Sequence, residues 1–140
     1  MKKILIIFFL LTISVKTYSQ KYRFETSGVS MSVVDKKGKW TKYTDFKEAK
    51  IVITLDTQKD RITIYSEMLQ FFKIINYKDP ITQKGDEVAS FECVNQEGET
   101  CLISIYTYKK KEVKNRMYIN YRDRIFAYNM SFVENKTNKK

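Results

Sequence analysis

Beyond Gln20 the chain alternates polar with β-branched or aromatic residues in short runs, separated by charged turns that carry most of its glycines. Repeats of the 3.6-residue helical kind are nearly absent. A period of two with this punctuation predicts an antiparallel meander. The runs place strands at Tyr22–Val34, Trp40–Tyr43, Ala49–Asp56, Arg61–Ser66, Leu69–Tyr77, Glu87–Asn95, Glu99–Tyr108, Arg116–Tyr121 and Arg124–Val133. Over 66–77 a short helix capped by Ser66 competes with the strand, and Phe71-Phe72-Lys73-Ile74-Ile75 favours the strand. No linker or internal repeat divides residues 20–133, so they read as one β domain. The polar, basic stretch 134–140 reads as a flexible tail. The fold expected is all-β, about eight strands closing into a small barrel, with a two-sheet β-sandwich as the alternative. A barrel removes the edges that an isolated sheet exposes.

Two hairpins define their own register. Setting Asp56 opposite Arg61 pairs Ile53 with Ile64 on one face, together with Ile51 and Leu55. The other face then carries Thr54–Thr63 and Val52–Tyr65. In the second hairpin, Asn95 and Gly98 suit the first and fourth positions of a type I turn, with Gly98 left-handed. Asn95 then opposes Glu99, Cys93 opposes Cys101, Phe91 opposes Ile103, and Ala89 opposes Ile105. This face is wholly apolar and holds both sulfurs.

The first residues change where the protein is expected to act. Met1-Lys2-Lys3 is followed by an apolar run from Ile4 to Val15, and Thr17-Tyr18-Ser19 offers small residues for cleavage before Gln20. That is the layout of a secretory signal peptide over residues 1–19. Twelve residues fall short of the roughly 20 needed to span a bilayer. Later apolar runs are all broken by charges, so no transmembrane segment is expected after signal removal. The mature protein is expected to be secreted or periplasmic. In an oxidising compartment, directly opposed cysteines are within disulfide reach. Cys93 and Cys101 are therefore read as a structural disulfide, with two buried thiols as the alternative. A redox-active pair would want a Cys-x-x-Cys motif, which is absent.

Composition removes most catalysis. The 140 residues contain no histidine, which excludes Ser-His and Cys-His pairs, an imidazole base and His-ligated metal. Two cysteines cannot build a four-thiolate centre. The carboxylates of Asp56, Asp60, Asp86, Glu87, Glu97 and Glu99 sit in or beside turns and match no calcium loop. No catalytic residue, cofactor site or metal site is assigned, and the protein is read as not an enzyme.

The charge is +10, from 26 Lys+Arg against 16 Asp+Glu. Basic groups concentrate at Lys36-Lys37-Gly38-Lys39, Lys109-Lys110-Lys111 and Lys136–Lys140. Tyr106, Tyr108, Tyr118, Tyr121 and Tyr128 lie near them in sequence. The combination would suit an OB-like nucleic-acid surface, but an exported protein rarely meets nucleic acid. A solvated basic surface, or contact with an anionic lipid or glycan, is the expectation instead.

Gly38-Lys39-Trp40 resembles the short Gly-x-Trp motif near the start of lipocalin barrels. There the tryptophan closes one end of the barrel under an arginine from the last strand. The resemblance implies a ligand-holding barrel and makes Arg124 the arginine. A full strand precedes Gly38 here and no C-terminal helix follows, which departs from that family. The whole chain is also similar to the small exported β-proteins, without assigned activity, of some Gram-negative bacteria. That similarity implies export and no activity. Trp40, Tyr106, Tyr118, Tyr128 and Arg124 are accordingly the candidate ligand-lining or barrel-closing residues. The expected function is a non-enzymatic binding module for a small apolar or anionic ligand. The alternative is a protein-interaction or inhibitory module acting through loops or an edge strand, with an envelope protein as partner.

Overall fold

The computed structural model describes residues 21–133 other than Glu112. The signal peptide read over 1–19 and the tail read over 134–140 lie outside the described residues. Ten strands follow one another along the chain: β1 (Lys21–Val33), β2 (Lys47–Glu48), β3 (Val52–Asp56), β4 (Arg61–Tyr65), β5 (Gln70–Tyr77), β6 (Ile81–Gln83), β7 (Asp86–Asn95), β8 (Thr100–Thr107), β9 (Asn115–Asn120) and β10 (Arg124–Val133). Eight of them pair antiparallel in the order β10-β9-β8-β7-β5-β4-β3-β1, and β1 pairs again with β10. The β1–β10 ladder runs from Arg23↔Val133 to Val33↔Arg124, so the sheet closes on itself as an eight-stranded barrel. β2 and β6 are additional, on β1 and β7.

Alternation explains the closure. Residues pointing inward are mostly apolar, with Thr26 and Asn115 as buried polar exceptions, and an eight-stranded barrel is just wide enough for side chains to fill. Ile53, Ile62, Ile64, Phe72, Ile103, Met117 and Ile119 meet inside it, each 1% exposed or less. Both hairpins have the register their sequences predict, including Ile53↔Ile64, Asp56↔Arg61 and Cys93↔Cys101. Asn95 accepts at Oδ1 from the N–H groups of Glu97 and Glu99, and Gly98 turns with φ +84°.

Four stretches differ from expectation. Over 47–51, β2 has no counterpart among the expected strands and β3 begins at Val52 rather than Ala49. The strand expected at Trp40–Tyr43 is reduced to a single bridge, Val34↔Trp40. Thr41 and Thr44 replace strand pairing with a two-point clamp on β1. The Thr44 N–H donates to the Met31 carbonyl, and its hydroxyl accepts from the Met31 N–H at 3.0 Å. Thr41 does the same at Val33. Side-chain and main-chain groups of one residue take both partners, so the chain between them need not stay extended. In 66–77, the strand begins at Gln70 rather than Leu69, and the residues before it form a bend. β6 has no counterpart among the expected strands, because Pro80 and a three-residue length hide it. It runs along β7 in the direction of β5, offset by Lys78-Asp79-Pro80.

Residues 41–46 form a strap over the outer wall. The wall beneath is built of small side chains: Ser30, Ser32 and Ala127 point outward yet are buried. The hydroxyls of Ser30 and Ser32 donate to the carbonyls of Thr44 and Thr41. Gly28 leaves a gap that Phe46 occupies, since a Cβ there would lie 3.3 Å from the Lys47 carbonyl and 3.4 Å from Phe46.

Candidate functional site

Strand alternation sends Met117 and Ile119 inward and leaves Arg116, Tyr118 and Asn120 on the outer wall. β8 places Tyr106 opposite Arg116 and Ser104 opposite Tyr118. The strap then brings Tyr43 onto the same surface. The ring centroids of Tyr106 and Tyr118 are 5.3 Å apart at 76°, and those of Tyr43 and Tyr118 are 6.3 Å apart. Tyr108, just past β8, stacks on Tyr106 at 5.9 Å. Such edge and offset contacts are the favoured aromatic geometries.

Arg116 organises this cluster. Its Nε donates to Asn129 Oδ1 at 2.7 Å and its Nη1 to the Tyr118 hydroxyl at 3.3 Å. Its guanidinium also lies 5.0 Å from the Phe46 ring centroid, tying strap to wall. Burial pushes the Tyr108 hydroxyl up to about 12, with Tyr118 adding to the shift. Burial likewise raises Tyr43, partly offset by Arg116. These phenols stay protonated near neutral pH and act as hydroxyl donors and acceptors. Tyr43, Ser104, Tyr106, Tyr118 and Asn120 bound an open cleft of about 270 Å³, and its lining is mainly hydroxyl and amide. Geometry of this kind can hold a small polar molecule through hydroxyl and amide hydrogen bonds.

Of the residues singled out from sequence, Tyr106 and Tyr118 meet in this cleft. Tyr128 does not join them: it pairs with Met117 on the inward face and belongs to the packed core. Burial raises its pKa, and a hydrogen bond with Gln70 works against that. Arg124 also lies elsewhere, at the barrel end bounded by the 95–99 turn. Its guanidinium sits 3.9 Å from the Tyr121 ring centroid and pairs with Glu99 and Asp123. The ring beneath the Arg124 guanidinium is therefore that of Tyr121 rather than Trp40. Trp40 follows the Asp35–Lys39 turn and is 48% exposed.

Cys93 and Cys101 face each other inside the barrel, and both thiols are free in this structure. Burial pushes them up to about 12 and about 11. Among the described residues, no group of three or more Asp, Glu or Cys side chains converges to hold a metal ion.

Sequence reasoning missed Tyr43, Ser104, Arg116 and Asn120. Arg116-x-Tyr118-x-Asn120 carried a usable signal, since alternation against Met117, Ile119 and Tyr121 puts these three on one outward face. Tyr43 carried none, because its place depends on how the strap crosses the wall. No family model, curated protein or solved structure matches the chain.

Proposed function

We propose that the chain is an exported, non-enzymatic binding module that takes a sugar unit in the tyrosine cleft of its outer wall. One observation supports this reading above the others: Tyr43, Tyr106 and Tyr118 converge with Ser104 and Asn120 around open space. Hydroxyls and an amide suit a ligand rich in hydroxyls. The side chains that fill the barrel argue against the interior as the ligand site, and so against a lipocalin-like carrier of an apolar molecule. Arg116 is already engaged by Asn129 and Tyr118, which favours a neutral ligand over an anion.

Isothermal titration against a panel of neutral and acidic oligosaccharides tests the reading. Wild type should bind at least one neutral sugar, and Tyr118→Ala should lose that binding while keeping its thermal melt near wild type. A panel without binding, or binding that survives Tyr106→Ala and Tyr118→Ala together, overturns it.

A second reading, docking of a protein partner by strand addition, has its own support. From Asn76 to Gln83 the chain pairs with β7 on one side, and β4 has ended on the other. Ile75 and Ile81 are 59% and 49% exposed beside that edge. Lys78, Pro80 and the bulge after Ile74 are devices that discourage indiscriminate pairing. Export also favours the Cys93–Cys101 disulfide. Mass spectrometry of protein recovered from its exported compartment tests both: a chain starting at Gln20 and lighter by two hydrogens is the expected result.

A further inference from the structure

We infer that the outer wall around Arg61 and Lys73, away from the tyrosine cleft, is a separate binding site for a phosphate or sulfate ester group. The two cations stand directly across from each other in the β4–β5 ladder. Like charges opposed in this way destabilise a sheet unless something negative lies between them. Among the described residues, neither makes an ion pair. Asp56 stands across from Arg61 on its other side, in β3, but its carboxylate is turned to the 56–60 turn and forms no ion pair with Arg61. Asp56 Oδ1 accepts from the N–H groups of Gln58 and Lys59 at 3.1 Å each, and Asp60 Oδ1 accepts from the Tyr77 hydroxyl at 2.7 Å.

Around this pair the surface forms a cleft of about 570 Å³. Lys59 adds a third cation from the adjoining turn, against the single carboxylate of Asp60 in the lining. Phe71 supplies one wall, and the Arg61 guanidinium lies 5.4 Å from its ring centroid. That contact holds the planar fork of the arginine in place, and such a fork matches the oxygens of a phosphate or sulfate. A lysine opposite adds a mobile point charge. Arg61 and Lys73 belong to β4 and β5, whereas the tyrosine cleft is on β8 and β9, so the two sites share no residue.

The test uses the mature protein at about 0.15 M salt, where loose surface attraction is screened. Pyrophosphate is the soluble probe, and phosphatidylglycerol vesicles against phosphatidylcholine vesicles are the lipid probe. The triple variant Lys59→Gln/Arg61→Gln/Lys73→Gln should lose about tenfold or more in affinity for pyrophosphate. The control Lys36→Gln/Lys37→Gln/Lys39→Gln removes equal charge elsewhere and should stay within about twofold. Vesicle binding that is lost with the first triple and kept with the second marks a lipid headgroup as the source; pyrophosphate binding without vesicle binding marks a soluble ester. Lys73→Gln alone should melt above wild type at low salt without anion, because it relieves the opposed charges. Pyrophosphate should then raise the melt of wild type and leave Lys73→Gln unmoved. Equal losses in the two triples would mean attraction by net charge only. That result, or a Lys73→Gln melt at or below wild type, overturns the site.

Discussion

Arg124 grips Glu99 with both ends of its guanidinium, Nη1 to Oε2 at 2.9 Å and Nη2 to Oε1 at 2.8 Å. The same group lies on the Tyr121 ring at 3.9 Å, so one residue joins the 95–99 turn to the start of β10. The Arg124 hydrogen bonds hold the Glu99 carboxyl below the usual carboxylate range. A depressed folded pKa contributes stability above the unfolded value of about 4.3, and that contribution disappears as pH falls through the folded value. Glu99→Gln should therefore be less stable than wild type at pH 7, with the gap closing under acid. Urea midpoints at pH 7, 5 and 3 measure this; a gap that stays constant with pH would show that the pair has no electrostatic weight.

The strap depends on hydroxyls rather than on a strand ladder. Thr44→Val keeps the shape of the side chain but leaves the Met31 N–H without its acceptor and removes a contact with Ser30. The expected cost is about 1 kcal/mol. Amide hydrogen exchange at Met31 should quicken, and any ligand affinity of the Tyr43 cleft should fall with it. Unchanged exchange at Met31 would contradict the clamp.

Turn chemistry gives a pair of opposite effects. Gly98 has φ +84°, and a methyl group placed on its Cα would find nothing within 4 Å. Gly98→Ala therefore meets no clash and only the left-handed penalty, roughly 1–2 kcal/mol. Lys84 has φ 53° in the two-residue turn that it forms with Gly85 between β6 and β7. Lys84→Asn creates the preferred Asn-Gly turn and should gain about 0.5 kcal/mol. Chemical denaturation resolves both, and a stabilised Gly98→Ala would refute the conformational account.

Local rules make much of the barrel legible. Cross-strand partners around Asp56–Arg61 and Cys93–Cys101 follow from apolar alternation and one turn each, so they can be placed without the rest of the chain. Closure through β1 and β10 follows from the hazard of open edges, and no single residue announces it. The strap escapes such rules because Trp40-Thr41-Lys42-Tyr43 has strand-like composition, while its threonines bond β1 through their side chains. Only part of the candidate site is visible, for a related reason. Tyr106 and Tyr118 stand out as aromatics, whereas Ser104 and Asn120 matter only after β8 and β9 are in register. Trp40 attracts a role by its rarity, and Arg124 finds Tyr121 instead because the 121–124 turn brings those two together.

The paired thiols give the protein a specific response to alkali when reduced. Cys93 is fully buried and Cys101 nearly so, and burial holds their pKa values at about 12 and about 11. An unfolded chain releases these protons near pH 8.5. Because the folded pKa values are raised, the stability they confer is complete below about pH 8.5 and declines as pH climbs toward the folded values. Each thiol then removes up to about 1.4 kcal/mol per pH unit. Buried tyrosines add a similar loss, but only above their own unfolded value of about 10. Between pH 8.5 and 10 the loss therefore belongs to the cysteines. Reduced wild type should show a falling denaturant midpoint across that window, and Cys93→Ala/Cys101→Ala should show a flat one. Oxidation should flatten it as well, and the disulfide should add about 2–3 kcal/mol by closing its short loop. A reduced wild type whose midpoint does not move from pH 8.5 to 10 would refute the burial of the pair.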